Sequence, residues 1–262
     1  MVKIFVDAAV TMIMWSYFTA GFLLFFAPRY GWAMFRGGDR EVAFQRLNHR
    51  FFLSFIRLLG LITPRLTLRI GQDIGAIHSS IVISNHLSYL DPLLLISLFE
   101  KQKTIVKKTF FKVPIFSFLL RRSGYIPSTN GGEDHSLFLR NIENIKEYLA
   151  SGGNVFIFPE GTRSRTGRLG PFNKGAFSIA YYCRAPIECL LIRDTNRLFV
   201  PGRGWFNTCV SNTIEVEKIG SFLPDYRDPD FHLASLVREI RTLYEEQICH
   251  ARAETATSGL DT

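Results

Sequence analysis

The stretch IVISNHLSYLDP, residues 81–92, joins a short apolar run to a histidine and an aspartate. Residues 81–83 are all β-branched, which is typical of a strand that is buried on both faces of a sheet. His86 follows this strand, and Asp91 comes five residues later. A carboxylate that holds one imidazole N–H leaves the other ring nitrogen free to accept a proton. The stretch indicates a general base at a strand end, and a turn with Asp91 as a helix cap is the alternative.

A second stretch of the same kind, FPEGTRS at residues 158–164, follows the apolar run at 155–157. Gly161 permits a close backbone approach, Thr162 offers a hydroxyl, and Arg163 offers a guanidinium fork that suits phosphate. The stretch predicts an anion cradle at the end of another strand. A strand-to-loop turn with a surface ion pair is the alternative interpretation.

Short apolar runs and helical stretches alternate through the rest of the chain from residue 64 onward. The runs predict strands at 66–70, 80–84, 104–106, 155–158 and 187–192. The helical spacing predicts helices at 93–99, 136–150, 175–183 and 231–250. The alternation favours an α/β domain with a largely buried sheet over residues 64–252. Residues 253–262 are small and polar, and we expect them to be disordered.

Two apolar helices are predicted in residues 1–63, ahead of this domain. Residues 8–27 form an uncharged run of 20 residues, which is long enough to cross a bilayer as a helix. A secretory signal peptide and a buried soluble helix are the alternatives. Residues 42–62 carry an apolar stripe with arginines between its members, which suits a helix in a membrane interface. We expect the phenylalanines at 18–26 and 51–55 to face lipid, although a core-facing helix would show the same stripe.

The composition narrows the possible partners without choosing among them. The chain has 262 residues, of which 47% are hydrophobic, and 31 basic against 23 acidic residues give a net charge of +8. Such a chain can build a core and can meet an anionic membrane, an acidic protein or nucleic acid. The excess is local: the segment 101–127 has seven basic residues and no acid. The four cysteines lack C-x-x-C spacing, so a zinc ribbon is not expected.

The two stretches occur together with further matching blocks. NHxxxxD at 85–91 precedes FPEGTRS by about 70 residues, KKTF at 107–110 is followed by Pro114 and Gly124, and GPFNKGAF occupies 170–177. This arrangement resembles the glycerolipid acyltransferase family, specifically the 1-acylglycerol-3-phosphate acyltransferases of the PlsC type, over about residues 66–192. The resemblance implies a mixed sheet flanked by helices, with an N-terminal pair of membrane-associated helices.

The resemblance also implies roles for the matching residues. His86 would deprotonate the acceptor hydroxyl and Asp91 would orient His86, so that the hydroxyl attacks an acyl thioester without an acyl-enzyme. The residues expected to bind substrate are Asn85, Ser88, Lys107, Lys108, Glu160, Gly161, Thr162 and Arg163. Neither a metal nor a cofactor is expected, because the acyl-CoA or acyl carrier protein thioester is a co-substrate.

The expected partners are membrane lipid, a lyso-lipid acceptor and the thioester, without nucleic acid. The Arg-rich flank after residue 27 places the site on the cytoplasmic side of a membrane, the inner membrane if the source is bacterial. The expected product is phosphatidic acid, made from 1-acylglycerol 3-phosphate.

Three departures from the family pattern leave the acceptor open. Ser117 stands where the family usually has Gly, Asn130 where it has Arg, and Cys189 where it has Pro. A different lysophospholipid or a lyso-aminolipid is therefore an alternative acceptor. An esterase is disfavoured because no G-x-S-x-G occurs. A non-enzymatic basic membrane-binding protein would explain the charge but not the His86 and Asp91 pattern.

Overall fold

A computed structural model of the protein describes residues 2–35, 37–128, 135–200 and 202–258, without the side chains of 135–141 and 252–258. Seven strands in this part of the chain form one sheet in the order β1-β7-β6-β2-β5-β3-β4. Their bounds are β1 Leu66–Ile70, β2 Ile81–Ser84, β3 Gln102–Val106, β4 Ile126–Pro127, β5 Asn154–Ile157, β6 Ile187–Arg193 and β7 Asn212–Phe222.

The sheet is mixed, as the resemblance implies. Strands β6, β2, β5, β3 and β4 run parallel to one another, whereas β7 is antiparallel to β6 and parallel to β1. All five predicted strands are present within two residues of their predicted bounds. The apolar runs do not predict β4 or β7. In β7, buried and half-buried residues alternate along Asn212–Val216, which is the signature of a strand with one buried face.

Helices cover both faces of the sheet. Their bounds are α1 Val2–Ser16, α2 Ala27–Phe35, α3 Arg40–Ile62, α4 Leu90–Leu98, α5 Pro114–Arg122, α6 His135–Ala150, α7 Lys174–Cys183, α8 Thr195–Leu198 and α9 Leu233–Ser258. A π-helical segment, Tyr17–Phe26, joins α1 to α2, so that Val2–Phe35 is one continuous helix. The expectation of disorder from residue 253 is wrong as far as Ser258, because α9 continues to that residue. Residues 259–262 lie outside the described residues.

The alternation of side chains along β2 divides the core into two layers. Val82 packs with α1, α3 and α4 on one face of the sheet. Ile81 and Ile83 pack with α6, α7 and α9 on the other face. Helices of the first 63 residues therefore share a hydrophobic core with the sheet. Because both faces are covered, β2 and β5 are buried along their length and point their carboxyl ends at one edge.

The expectation that the phenylalanines of 51–55 face lipid is wrong. Phe51 and Phe55 are buried. Phe55 belongs to the hydrophobic core in which α1 and α4 cover one face of the sheet. The apolar stripe of α3 is thus the core-facing stripe of an ordinary packed helix. Tyr17 stacks on Phe51 of α3, and Phe18 packs against the same ring at a tilt, with ring centroids 5.8 Å apart in both pairs. The lipid-facing expectation therefore fails for Phe18 as well, since it packs on the protein.

One helix of the described chain, Val2–Phe35, is long and apolar enough to cross a membrane. Its outward face carries exposed apolar side chains, among them Leu23, Leu24, Phe25, Trp32 and Phe35. Its first half is also bound to the loop before β7. Asp7 accepts hydrogen bonds from the backbone N–H and the hydroxyl of Thr208, both at 2.7 Å.

Candidate active site

The loops after β2 and β5 meet at the carboxyl edge of the sheet. The two strands are paired so that Ile83 lies opposite Ile157. His86 and Glu160 each come three residues after this pair, and the register therefore brings the two loops side by side. The backbone N–H of Ser164 donates to the carbonyl of His86 at 2.8 Å and joins the two loops directly.

His86 and Asp91 form a hydrogen-bonded pair. The distance from His86 Nδ1 to Asp91 Oδ2 is 2.9 Å, and the exposed fractions of the two side chains are 16% and 0%. Asp91 lies in the first turn of α4, and its Oδ2 also accepts the backbone N–H groups of Leu87 and Ser88. The bond at Nδ1 leaves Nε2 as the ring nitrogen that can accept a proton.

Thr195 completes the surroundings of the Asp91 carboxylate. Its hydroxyl donates to Asp91 Oδ1 at 2.5 Å, and both residues are fully buried. Asp91 thereby accepts four hydrogen bonds, which offset the cost of burying its carboxylate. Sequence reasoning missed Thr195, because it lies 104 residues from Asp91 at the start of α8. The one sequence signal for Thr195 is that it lies two residues after β6, which is parallel to β2 and ends at the same edge of the sheet.

One face of the His86 imidazole ring is also in contact with the protein. The ring of Phe158 stacks on that of His86 with centroids 4.2 Å apart and an interplanar angle of 20°. Phe158 directly follows β5, so the strand that delivers the second loop also orients the base. Nδ1 and one ring face are therefore fixed by protein, and a reactant can approach Nε2.

Glu160 joins the two loops through hydrogen bonds to their backbone. Its Oε1 accepts the backbone N–H of His86 at 2.8 Å and its Oε2 accepts that of Gly170 at 2.7 Å. Burial raises the pKa of this carboxyl, and the two backbone hydrogen bonds oppose that shift. Glu160 therefore positions the backbone of His86, and its binding of substrate stays a prediction.

Asn85 and Ser88 likewise form hydrogen bonds to backbone groups, and their binding of substrate stays a prediction. The side-chain amide of Asn85 donates to the carbonyl of Ile192 and accepts its N–H, both at 2.8 Å. The hydroxyl of Ser88 donates to the carbonyl of Phe199 at 3.1 Å. Both side chains are buried, and these bonds occupy their polar atoms. They fix the His86 loop to the end of β6 and to the chain after α8.

Arg163 is the cation of the site with unoccupied donors. Its Nε and one Nη nitrogen are buried, and neither has a hydrogen-bond partner among the described residues. The guanidinium carbon lies 3.9 Å from the centroid of the Tyr89 ring, on the loop that carries His86. Since buried donors without a partner are costly, this arrangement is that of a site for an anion.

The remaining predicted binding residues lie at the rim of this edge. Gly161 has φ +66°, the left-handed region that favours glycine, and lets the chain turn between Glu160 and Arg163. Thr162 is exposed beside it. Lys107 and Lys108 are exposed at the carboxyl end of β3, which runs parallel to β5 at its side. The described residues hold no group of three or more His, Cys, Asp or Glu that could share a metal ion.

Comparison with known proteins gives a consistent result. A family model described as Acyltransferase matches residues 65–193. A chloroplastic 1-acyl-sn-glycerol-3-phosphate acyltransferase of Brassica napus is 35% identical over 122 residues, which are 47% of this chain and 35% of that protein. The 1-acyl-sn-glycerol-3-phosphate acyltransferase of Saccharomyces cerevisiae is 30% identical over 174 residues, 61% of this chain and 56% of that protein. This chain spans about a third to somewhat over half of these relatives.

A solved structure shares the fold. The crystal structure of the 1-acyl-sn-glycerophosphate (LPA) acyltransferase PlsC from Thermotoga maritima superimposes with a TM-score of 0.69. The superposition covers 94% of this chain and 98% of that chain at 21% sequence identity. The architecture predicted by the resemblance, a mixed sheet flanked by helices with apolar helices before it, is therefore confirmed.

Proposed function

We propose that the protein is an O-acyltransferase that acts at a membrane, because a family model described as Acyltransferase matches residues 65–193. It transfers a fatty acyl group from an acyl-CoA or acyl carrier protein thioester to the free hydroxyl of a lyso-lipid. The acceptor that the site supports best is 1-acylglycerol 3-phosphate, and the product is then phosphatidic acid.

The pair of His86 and Asp91 carries this proposal. The 2.9 Å bond at Nδ1 and the stacked Phe158 ring orient Nε2 outward from the carboxyl edge of the sheet. A base held in this way needs no reorganisation before it accepts a proton. It lies inside the segment that matches the family.

The reaction follows from this geometry. His86 Nε2 takes the proton of the acceptor hydroxyl, and the oxygen attacks the thioester carbonyl carbon. The tetrahedral intermediate collapses with cleavage of the C–S bond, and the leaving thiolate receives the proton from His86. Asp91 balances the imidazolium charge throughout, with its own four hydrogen bonds intact.

Arg163 supports an acceptor that carries a phosphate. Its buried nitrogens without partners can donate to phosphate oxygens, which also fixes the hydroxyl relative to His86. Thr162, Lys107 and Lys108 add donors at the rim. A different lysophospholipid or a lyso-aminolipid is the second candidate acceptor, because Asn130 stands where the family usually has Arg.

Direct transfer, without an acyl-enzyme, agrees with the state of the thiols and hydroxyls. Burial raises the pKa of the Cys183 thiol to about 11 and raises that of Cys189 further. Neither thiol is therefore a thiolate at neutral pH. Ser84 and Ser88 are the two hydroxyl residues nearest to His86 in sequence, and they donate to the carbonyls of Asn85 and Phe199, respectively.

The N-terminal helices are proposed to hold the protein on the cytoplasmic face of the membrane. A helix of 34 residues is about 51 Å long, well above the ~30 Å hydrocarbon thickness. Both of its halves contact the same globular body, through Asp7 to Thr208 and through Tyr30 to Asn48 of α3. These contacts favour a helix that lies in one leaflet.

The test is acyl transfer by the purified full chain in detergent with defined substrates. His86→Ala is expected to lower the rate by about 10²–10⁴-fold, the usual contribution of a general base. His78→Ala is the matched control, because His78 is an exposed histidine in the loop before β2. Acyl transfer by His86→Ala at the rate of the His78→Ala control would contradict the assignment.

The substrates are resolved by a panel in the same assay. We expect 1-acylglycerol 3-phosphate to be preferred over 1-acylglycerol without phosphate and over lysophosphatidylcholine. Both coenzyme A and carrier protein thioesters are compared as donors. A hydroxylamine-sensitive acyl-enzyme trapped in the absence of acceptor would overturn direct transfer.

A further inference from the structure

The segment between β3 and β4, residues 107–122, has large apolar side chains in solvent beside a set of cations. Its exposed apolar side chains are Phe110, Val113, Ile115, Phe116 and Phe118. Its exposed cations are Lys107, Lys108, Lys112, Arg121 and Arg122. We call these ten residues the 107–122 surface.

The local structure keeps this surface outward. Pro114 begins α5, where a missing backbone N–H costs nothing, and the helix continues to Arg122. None of the nine residues of α5 is buried, although five of them are large and apolar. A cluster of this kind on a soluble protein marks a place that another apolar phase covers.

The cations are arranged around the apolar side chains. The guanidinium groups of Arg121 and Arg122 lie 5.7 Å from the ring centroids of Phe111 and Phe118, respectively. A long cationic side chain that lies along an apolar surface can keep its charged end at the headgroup level of a bilayer. The segment 101–127 has seven basic residues and no acid. This charge complements anionic lipid headgroups.

The 107–122 surface adjoins both the N-terminal helices and the site. Phe118 packs edge-on against Phe44 of α3 at 6.0 Å between ring centroids. Leu119 joins the cluster in which α2 packs on α3. The segment leaves the sheet at the carboxyl end of β3, which is parallel to β5 and ends at the same edge. A membrane that covers this surface therefore reaches toward the edge that carries His86.

We propose that the 107–122 surface is a second membrane contact, which inserts its apolar side chains into a bilayer of anionic phospholipid. The inference rests on the proposed membrane association of the N-terminal helices and adds a second point of contact. Two membrane contacts fix the tilt of the protein on the bilayer. With the N-terminal helix as the single contact, the protein as a whole could roll about the axis of that helix. The contact turns the carboxyl edge of the sheet toward the lipid that supplies the acceptor.

An environment-sensitive dye on single cysteines of the full chain tests the proposal. The dye is placed at Ile115→Cys, at Met12→Cys on the N-terminal helix, and at Leu223→Cys, directly after β7. All three positions are exposed, at 63%, 68% and 76%. The background carries Cys209→Ser and Cys249→Ser, since the other two cysteines are buried. The vesicles contain three parts phosphatidylcholine to one part phosphatidylglycerol, with or without nitroxide-labelled acyl chains.

The proposal expects the dyes at 115 and 12 to shift to the blue and to be quenched by the acyl-chain nitroxide, while the dye at 223 stays in water. A dye at 115 that stays in water while the dye at 12 enters the bilayer would overturn this inference and leave the proposed function intact. If neither dye enters, both this inference and the proposed membrane association are wrong. A response at 115 to acyl carrier protein but not to vesicles would assign the surface to the carrier.

A charge variant tests the same surface by affinity. Ile115→Glu with Phe116→Glu is expected to weaken binding to anionic vesicles by about tenfold, whereas Leu223→Glu leaves it unchanged. Neither residue belongs to the site, so the rate of acyl transfer in detergent micelles is expected to stay at the wild-type value. Vesicle binding equal to that of the Leu223→Glu control would contradict the proposal.

Discussion

The two loops at the carboxyl edge of the sheet are adjacent but are built in opposite ways. In the loop of His86 to Asp91, the carboxylate accepts four hydrogen bonds and the imidazole is held at one nitrogen and one face. In the loop that begins at Glu160, the carboxylate serves the backbone while Arg163 keeps buried donors without a partner. The first loop holds the His86 imidazole in one orientation, and the second leaves donors of Arg163 without a partner among the described residues.

This contrast explains how one edge can serve two substrates. A base gains from rigidity, because its pKa and direction must be set before the reaction. A cation that binds a ligand benefits from donors without partners. Hydrogen bonds to the ligand then offset the free-energy cost of keeping those donors buried. Changes in the first loop are therefore expected to lower kcat, and changes at Arg163 to raise KM.

The largest expected effect is that of Asp91→Asn. An amide cannot accept the His86 N–H and both backbone N–H groups as an anion does, so the imidazole loses its orientation and its charge partner. We expect kcat to fall by about 10²–10⁴-fold with little change in KM. Steady-state kinetics with saturating thioester measures this, and a kcat within a few-fold of wild type would mean that the pair is structural only.

Arg163→Gln tests the other loop. Loss of a charge-assisted contact of about 1.5–3 kcal/mol corresponds to roughly a 10- to 150-fold rise in KM for the phosphate-bearing acceptor. We expect kcat to change little and 1-acylglycerol without phosphate to be used as before. Arg165→Gln, at an exposed arginine of the same loop, is the matched control. An equal loss for both acceptors would show that Arg163 does not read the phosphate.

Thr195→Val is expected to have a smaller effect on the base. Without the 2.5 Å hydroxyl bond to Oδ1, the Asp91 carboxylate loses one of its four hydrogen bonds and is held less firmly beside His86. We expect kcat to fall by about threefold to tenfold with little change in KM. Thr195→Ser keeps the hydroxyl and is expected to restore kcat. A Thr195→Ser variant as slow as Thr195→Val would limit this residue to packing.

The smallest expected effect is on stability and comes from Glu160. Its native pKa is raised above the ordinary value of 4.5, so the folded protein keeps a proton that the unfolded chain has already lost. The contribution of this group to the free energy of unfolding is therefore full below about 4.5 and falls as pH rises through the native pKa. Each pKa unit of difference corresponds to about 1.36 kcal/mol.

Denaturant unfolding of the wild type and Glu160→Gln between pH 4 and pH 7 measures this. The stability advantage of the wild type over the variant is expected to shrink as pH rises. Glu239→Gln, at an exposed carboxylate, is the control and is expected to show no such trend. An advantage that grows with pH would mean that the two backbone hydrogen bonds outweigh burial.

Much of the site could be predicted because its chemistry is local in sequence. His86 and Asp91 lie within one strand-loop-helix unit, and a loop plus one helical turn brings residues five apart into contact. The roles of Asn85, Ser88 and Glu160 could not be predicted in the same way. Each binds backbone groups of residues that are 10 to 111 positions away. A residue type indicates that such a bond can form, and tertiary contacts decide which atoms form it.

The same division holds for the apolar segments. Val2–Phe35 and α3 both have sequences that suit a membrane, yet α3 buries Phe51 and Phe55 while Leu23, Leu24 and Phe25 stay exposed. Periodicity shows that an apolar face exists and leaves open whether protein or lipid covers it. The α5 helix is the reverse case, because the structure contains a helix there that the apolar pattern does not predict. A nine-residue helix without buried residues shows only a weak apolar periodicity in the sequence.

By itself, the sequence determined the α/β class, the five strand positions it predicts, and the pairing of His86 with Asp91, because periodicity and short-range spacing depend on neighbours along the chain. Only the tertiary structure decided that Thr195 completes the carboxylate, that Glu160 joins two loops, and that Arg163 keeps free donors. Those facts depend on the register of β2 against β5 and β6, which places residues distant in sequence at one edge. Hydrogen-bond partners are set by that placement, and burial then decides which of them must be satisfied.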